Sequence, residues 1–150
     1  MTLTLNGRLQ TRLFLLLVVG VVWTIAISPA LPRPAWAPLS MVYRITFQAL
    51  GIVAAAGIAW ELLYHGLQQF RWNRDWPSIF ALITGVNEGI ATWVILHVLG
   101  IIPGTAGLAS PIWPLFVIHF TTTWFLVWLV AQGPLRVAFP RWRFRGGRIL

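Results

Sequence analysis

The hydrophobic residues of this chain fall into four long runs, separated by short polar or proline-containing segments. The runs cover residues 13–31, 45–65, 78–102 and 111–131. Each is close to the roughly 20 apolar residues that a helix needs to cross a hydrocarbon core about 30 Å thick. The pattern predicts an all-α integral membrane protein, with four transmembrane helices in an up-down bundle that forms a single domain, short loops, and a tail over residues 132–150.

Proline and charge mark the ends of the runs. A proline-rich spacer between the first two runs cannot continue a helix, and Pro77 and Pro111 lie where the third and fourth helices are expected to begin. The first run resembles a signal peptide because Arg8 and Arg12 precede it. Its length, and the proline that follows each candidate cleavage site, favour a retained helix instead.

The distribution of arginine predicts the orientation. Segments that flank transmembrane helices on the cytoplasmic side carry an excess of basic residues. Nine arginines lie on one side of the predicted helices, and only Arg33 and Arg44 lie on the other. Both termini are therefore predicted to be cytoplasmic. The nine are Arg8, Arg12, Arg71, Arg74, Arg136, Arg141, Arg143, Arg145 and Arg148.

Composition agrees with a membrane protein and excludes several other classes. Hydrophobic residues make up 58% of the chain and charged residues 9%, far from the soluble average. Because the arginines flank the apolar runs, the net charge of +8 is interpreted as a topology signal and not as nucleic-acid binding. The 11 bases are all Arg, which favours a GC-rich bacterial genome and hence the bacterial inner membrane. The absence of cysteine excludes disulfides and thiolate chemistry.

An acidic residue in the third run is the first candidate site. Glu88 lies ten residues into that helix, about 15 Å along it, and an ionisable group at this depth needs a partner or a proton. Thr84 and Thr92 share its helical face, Asn87 precedes it, and Gly85 and Gly89 permit a close approach of a neighbouring helix. His119 in the fourth run is expected at a similar depth. The sequence therefore predicts an intramembrane Glu88–His119 pair, with a structural role favoured over proton relay.

A second polar cluster lies at the predicted cytoplasmic end of the second helix. Glu61 and His65 are one helical turn apart, and Arg71, Arg74 and Asp75 follow in the loop. An interfacial network of ion pairs explains such a cluster without catalysis. The functional alternative is a site for an anionic headgroup, a soluble partner or a substrate that enters from the cytoplasm.

Metal and cofactor motifs are weak. A di-metal bundle needs more carboxylates than this chain offers and a Glu-x-x-His spacing, whereas His65 follows Glu61 at four residues. Haem between His97 and His119 remains a minor alternative, and no metal or other cofactor is expected. Familiar catalytic motifs are absent from the sequence, which disfavours an enzyme.

The C-terminal tail alternates aromatic and basic residues. Each Arg near an anionic leaflet contributes about 1 kcal/mol to membrane attraction. We therefore expect the tail to contact lipid headgroups through Arg141, Arg143, Arg145 and Arg148.

Three functions fit these features. The small number of candidate catalytic residues favours a non-catalytic accessory subunit or a self-associating scaffold. The expected partners of such a protein are the lipid bilayer and either other membrane subunits or further copies of itself. The first alternative is a small oligomeric transporter or channel with a protonatable Glu/His site. The second is a membrane enzyme or redox carrier that acts on a lipid or quinone.

Overall fold

The structure is a computed structural model that describes residues 4–70, 77–102 and 110–149. Four long helices account for most of these residues, and none of the described residues forms a strand. The helices run over Leu5–Ala30, Leu39–Gln69, Ser78–Val98 and Trp113–Gln132. Each contains a stretch long and apolar enough to cross a membrane. The predicted class, an all-helical protein with four candidate spans, is confirmed.

The first helix begins at Leu5 and not at residue 13 as predicted. Thr4 caps it, because its hydroxyl oxygen accepts a hydrogen bond from the backbone N–H of Gly7 at 3.2 Å. The prediction placed Arg8 and Arg12 outside the span, as charges that end an apolar run. Both arginines belong to the helix, since their guanidinium groups find acidic partners on other helices.

The other helix ends also differ from the apolar runs. The second helix, Leu39–Gln69, is longer than the predicted 45–65, because polar residues with good helix propensity such as Gln continue it beyond the apolar stretch. The third ends at Val98, before the predicted 102, where Gly100 adopts a positive φ of 65° that favours glycine. After the fourth helix, Gly133 leads into a short helix, Pro134–Ala138.

A π-helical turn, Leu16–Gly20, interrupts the first helix. From Arg12 to Ser28, buried or nearly buried positions recur every four residues through this turn, and at about 3.6 residues per turn each such step advances around the helix by about 40°. Over several steps this drift would carry Thr24 and Ser28 away from the face that holds Arg12. The wider π turn reduces the drift, so that Arg12 and the buried Thr24 and Ser28 all face the other helices.

The four helices pack around a common apolar core. Helices consecutive in the chain contact one another, and the first also contacts the fourth. Ring stacking and aliphatic packing fill the interior, where Val42, Ile45, Leu96, Ile112 and Leu115 are fully buried. The third and fourth helices approach closely at two glycines. The indole of Trp124 and the ring of Phe120 occupy the space where Cβ atoms at Gly85 and Gly89 would lie.

The C-terminal tail folds back onto the start of the first helix. Trp142 is buried, and its indole N–H donates to the Thr11 hydroxyl at 2.8 Å. The carbonyl oxygen of Gly147 accepts from Thr11 at 2.8 Å, and that of Gly146 accepts from the Thr4 backbone N–H at 2.9 Å. A small apolar cluster of Leu15, Leu135 and Trp142 completes the contact. The tail therefore covers one end of the helices.

Candidate functional site

Arg12 is the centre of the polar interior. Its side chain is only 10% exposed, and its guanidinium contacts carboxylates on two other helices. Nη1 donates to Glu61 Oε1 and to Glu88 Oε1, each at 3.2 Å, and Nη2 donates to Glu88 Oε2. One residue of the first helix thus links the second helix to the third.

Arg8, one turn earlier, completes the group. Its Nε donates to Glu61 Oε2 at 2.6 Å. We call Arg8, Arg12, Glu61 and Glu88 the Arg12 cluster. It has two positive and two negative charges, and two of the three acidic residues of the chain belong to it.

The fold provides room for the Arg12 guanidinium at a glycine on the second helix. A Cβ at Gly57 would collide with this guanidinium, lying 2.8 Å from Nη2. Because Gly57 has no side chain, Nη2 also reaches the backbone carbonyl oxygen of Val53 at 3.3 Å. The guanidinium lies 5.6 Å from the ring centroid of Trp124 on the fourth helix, within cation–π range. Arg12 therefore contacts each of the three other helices.

Mutual pairing explains how these charges are tolerated within apolar helices. An isolated charge in a membrane interior is costly, and a buried ion pair is tolerated when its geometry is good and further hydrogen bonds satisfy the ions. Arg suits this position because its planar fork binds a carboxylate through two parallel donors, as it does at Glu88. Glu88, 2% exposed, depends on Arg12 for the ion pairing of its carboxylate.

A cavity of about 340 Å³ adjoins the Arg12 cluster. All four members of the cluster line it, together with Arg136 of the short helix. The remaining wall is mostly apolar, with aromatic side chains that include Phe80, Trp124, Trp128 and Trp142. Its volume falls within the range of about 300–1,000 Å³ that small-molecule sites occupy. The cavity thus combines a charged group with an aromatic wall, as an amphiphilic ligand would require.

The predicted Glu88–His119 pair is wrong. Glu88 binds Arg12, while His119 Nε2 lies 2.9 Å from the Thr24 hydroxyl oxygen on the first helix. The physical reason is that a guanidinium offers a full charge and two aligned donors to the carboxylate, which a histidine cannot match. The prediction compared the depths of Glu88 and His119 in the third and fourth helices only. Their actual partners, Arg12 and Thr24, both lie on the first helix.

His119 belongs to a second buried polar group, separate from the Arg12 cluster. Beyond Thr24, the hydroxyl of Ser28 donates to the Thr24 carbonyl oxygen at 2.6 Å and lies 3.1 Å from the Thr46 hydroxyl oxygen. Trp23 adds a bond from its indole N–H to the Thr122 hydroxyl at 3.0 Å. These bonds connect the first helix to the second and the fourth.

A double-mutant cycle should detect the Thr24–His119 hydrogen bond. Polar contacts between membrane helices contribute about 0.6 kcal/mol on average and up to about 1.7 kcal/mol, so we expect Thr24→Val and His119→Phe to show a coupling energy in this range. The measurement is the free energy of unfolding of both single variants and the double variant in mixed micelles. Thr121→Val serves as the control partner, because among the described residues the exposed Thr121 bonds only to carbonyl oxygens of its own helix. Equal coupling of His119 with Thr24 and with Thr121 would contradict this assignment.

The other residues predicted near Glu88 separate into two groups. Thr84 and Thr92 are buried on the same side of the third helix as Glu88, whereas Asn87 is exposed. The Thr84 hydroxyl donates to the Ala81 carbonyl oxygen at 3.1 Å, and Thr84 also lines the cavity. Only Thr84 of these three therefore lies at the cavity.

Within the described residues, the predicted cluster at the end of the second helix is joined to the first helix. Glu61 binds Arg8 and Arg12, and His65 is partly buried one turn further along. Arg71, Arg74 and Asp75 lie outside the described residues. Sequence reasoning missed Arg8 and Arg12 as site residues because it assigned them to topology. Their spacing of four, which places both on one helical face, was the available signal.

Each of the two histidines in the predicted haem alternative, His97 and His119, has a hydrogen-bond partner within the protein. His97 Nδ1 lies 2.9 Å from the carbonyl oxygen of Trp93, and its ring packs edge-on against the Trp93 indole. His119 bonds to Thr24. Among the described residues, no group of three or more His, Asp or Glu side chains is arranged to hold a metal ion.

The tail arginines predicted to contact lipid are exposed where the structure describes them. Arg141, Arg145 and Arg148 all point away from the core, and the Arg143 side chain lies outside the described part. Trp142, between them in the sequence, is buried against the first helix. In the tail, therefore, Trp142 packs against the first helix, while the described arginines lie at the surface.

Comparison with protein-family models, with curated proteins and with solved structures found no match to this chain.

Proposed function

We propose that this chain is a non-catalytic protein of the bacterial inner membrane, acting as an accessory subunit of a larger complex or as a self-associating scaffold. The observation that supports this best is the mutual neutralisation of the interior charges. Arg12 binds both intramembrane glutamates, and Arg8 binds Glu61 as well. A group of charges paired in this way stabilises the packing of helices, and it does not resemble a nucleophile with its base.

The proposed arrangement is an up-down bundle of four helices with both termini in the cytoplasm. The excess of arginine in the N-terminal segment, the middle loop and the tail supports this orientation. The Arg12 cluster and the tail that folds over it then lie in the cytoplasmic half. Arg141, Arg145 and Arg148 are exposed and are available to anionic headgroups of the inner leaflet.

Native mass spectrometry on protein extracted gently from its own membranes, at natural expression levels, tests this proposal. We expect either other polypeptides in fixed stoichiometry, for an accessory subunit, or a defined homo-oligomer, for a scaffold. Glu88→Gln should lower the abundance of that assembly, because it weakens the bond to Arg12. A strictly monomeric protein with no partner would overturn the proposal.

A transporter is the second candidate, and the cavity is the observation that favours it. The cavity reaches Glu88, a carboxylate within the span that proton transfer could neutralise. Its test is solute flux in proteoliposomes made with the purified parent or with Glu88→Gln. Flux that requires Glu88 would replace the first proposal, whereas equal flux in both preparations would remove the second.

A further inference from the structure

The cavity beside the Arg12 cluster has an excess of positive charge. Five charged side chains line it, namely Arg8, Arg12, Arg136, Glu61 and Glu88. Both glutamates accept bonds from arginine, so the lining keeps one positive charge that no carboxylate among the described residues balances. A ligand that matches this cavity would carry a negative charge.

The unused hydrogen-bond donors identify where that charge would bind. Arg12 uses both terminal nitrogens on carboxylates, and its Nε, which has no partner among the described residues, lies against Gly57. Arg8 uses Nε alone, and Arg136 uses Nη2 alone, in a bond to Gln132 Oε1 at 2.5 Å. Within the described part of the chain, the terminal nitrogens of Arg8 and the Nη1 of Arg136 thus keep donors for an anion. A guanidinium is well suited to a carboxylate or a phosphate.

The uncharged part of the cavity wall indicates the chemical character of the rest of the ligand. Phe80, Trp124 and Trp128 form an aromatic surface, and Leu15, Leu16 and Val127 add aliphatic contacts. Such a wall favours a hydrocarbon chain over a polar solute, because apolar surface gains from removal from water. The volume of about 340 Å³ lies at the lower end of the range for ligand sites, which favours one chain over two.

We propose that this cavity binds an anionic amphiphile, a carboxylate or phosphate group carried on a single hydrocarbon chain. The anionic group lies between Arg8 and Arg136, and the hydrocarbon chain packs on the aromatic wall. The site is separate from the tail arginines that the sequence indicated as headgroup contacts, since Arg141, Arg145 and Arg148 do not line the cavity. It adds a ligand to the proposed scaffold or subunit, and does not depend on which of the two the protein is.

Binding can be measured by quenching of tryptophan fluorescence, because Trp124, Trp128 and Trp142 line the cavity. The probes are a brominated fatty acid, a lysophosphatidylglycerol with a brominated chain, and a lysophosphatidylcholine with the same chain as the zwitterionic reference. They are titrated into the purified full chain in an uncharged detergent. We expect at least one anionic probe to quench saturably at lower concentration than the zwitterionic probe. Saturation by the fatty acid alone assigns a carboxylate ligand, and saturation by lysophosphatidylglycerol alone assigns a phosphate ligand.

Matched charge variants locate the binding site. The double variant Arg8→Gln/Arg136→Gln should weaken binding by about tenfold or more, the usual effect of losing hydrogen bonds to a charged group. The control Arg33→Gln/Arg44→Gln removes the same charge elsewhere, since Arg44 precedes Glu61 by about 25 Å along the second helix, and should change binding less than about twofold.

Because Arg8 also binds Glu61, its substitution could disturb the fold as well as ligand binding. Two further variants that leave Arg8 in place distinguish these effects. Arg136→Gln alone should weaken binding several-fold. Arg136 is exposed, and its one side-chain bond among the described residues is to Gln132, four residues earlier in the chain. Ala131→Phe should reduce binding by filling the cavity, which Ala131 lines, with no change in charge. Equal binding of anionic and zwitterionic probes, or binding unchanged by both Arg136→Gln and Ala131→Phe, would overturn the proposal.

Discussion

Arg12→Leu is expected to destabilise the folded protein by about 3–5 kcal/mol, the cost of removing one partner from a buried ion pair. The variant leaves Glu88 buried without its cationic partner, and it also removes the link to Glu61. The measurement is the free energy of unfolding in mixed micelles, followed by helical circular dichroism. Arg44→Leu is the control, because Arg44 is exposed on the second helix, and it should cost less than about 1 kcal/mol.

A second substitution separates the loss of charge from the loss of packing. Glu88→Gln, added to Arg12→Leu, removes the unpaired carboxylate, so the double variant should be more stable than Arg12→Leu alone. Replacing both members of a buried pair is often close to neutral, whereas replacing one is not. If the double variant is as unstable as the single one, the ion pair does not account for the effect.

Gly57→Ala is expected to cost about 1–3 kcal/mol, the usual range for overpacking a well-filled interior. The added methyl group would overlap the Arg12 guanidinium. The end of an arginine side chain normally moves aside at little cost, but this one is held by two carboxylates and the Val53 carbonyl oxygen. The methyl group therefore weakens the Arg12 cluster as a whole.

The same helix offers matched controls for this substitution. Gly51 and Gly66 have open space where a Cβ would lie, so alanine at either position should be neutral or stabilising by up to about 1 kcal/mol through helix propensity. In the background of Arg12→Leu, the cost of Gly57→Ala should largely disappear, because residues in contact are not additive. Equal effects at all three glycines would contradict the proposed close approach.

The sequence was sufficient for the class of the fold because that class depends on local hydropathy. A membrane-spanning segment must satisfy its backbone hydrogen bonds internally and present apolar side chains to lipid, and both requirements are visible in a run of consecutive residues. The helix ends were less accurate. The prediction began the first helix after its arginines, whereas the structure begins it at Leu5 and includes Arg8 and Arg12. Arginines whose charges are paired with carboxylates on other helices can lie within a helix.

The candidate site was predicted only in its acidic half. Glu61 and Glu88 were found because an acidic residue within an apolar run is conspicuous. Their partner Arg12 was not found, because an arginine just before an apolar run looks the same in the sequence as an arginine that sets membrane topology. His119 was paired with Glu88 by depth alone, and depth does not specify which helix faces which.

Four apolar helices could be predicted from the sequence alone, and so could the presence of Glu61, Glu88 and His119 within the apolar runs. The three-dimensional contacts were needed to see that Arg12 binds both glutamates, that His119 pairs with Thr24, and that the tail folds over the end of the helices that holds Arg12. The physical reason is the range of the interactions. Hydropathy and helix propensity act between neighbours in the chain, whereas the ion pairs connect residues 49 and 76 positions apart, and helix packing alone brings these together.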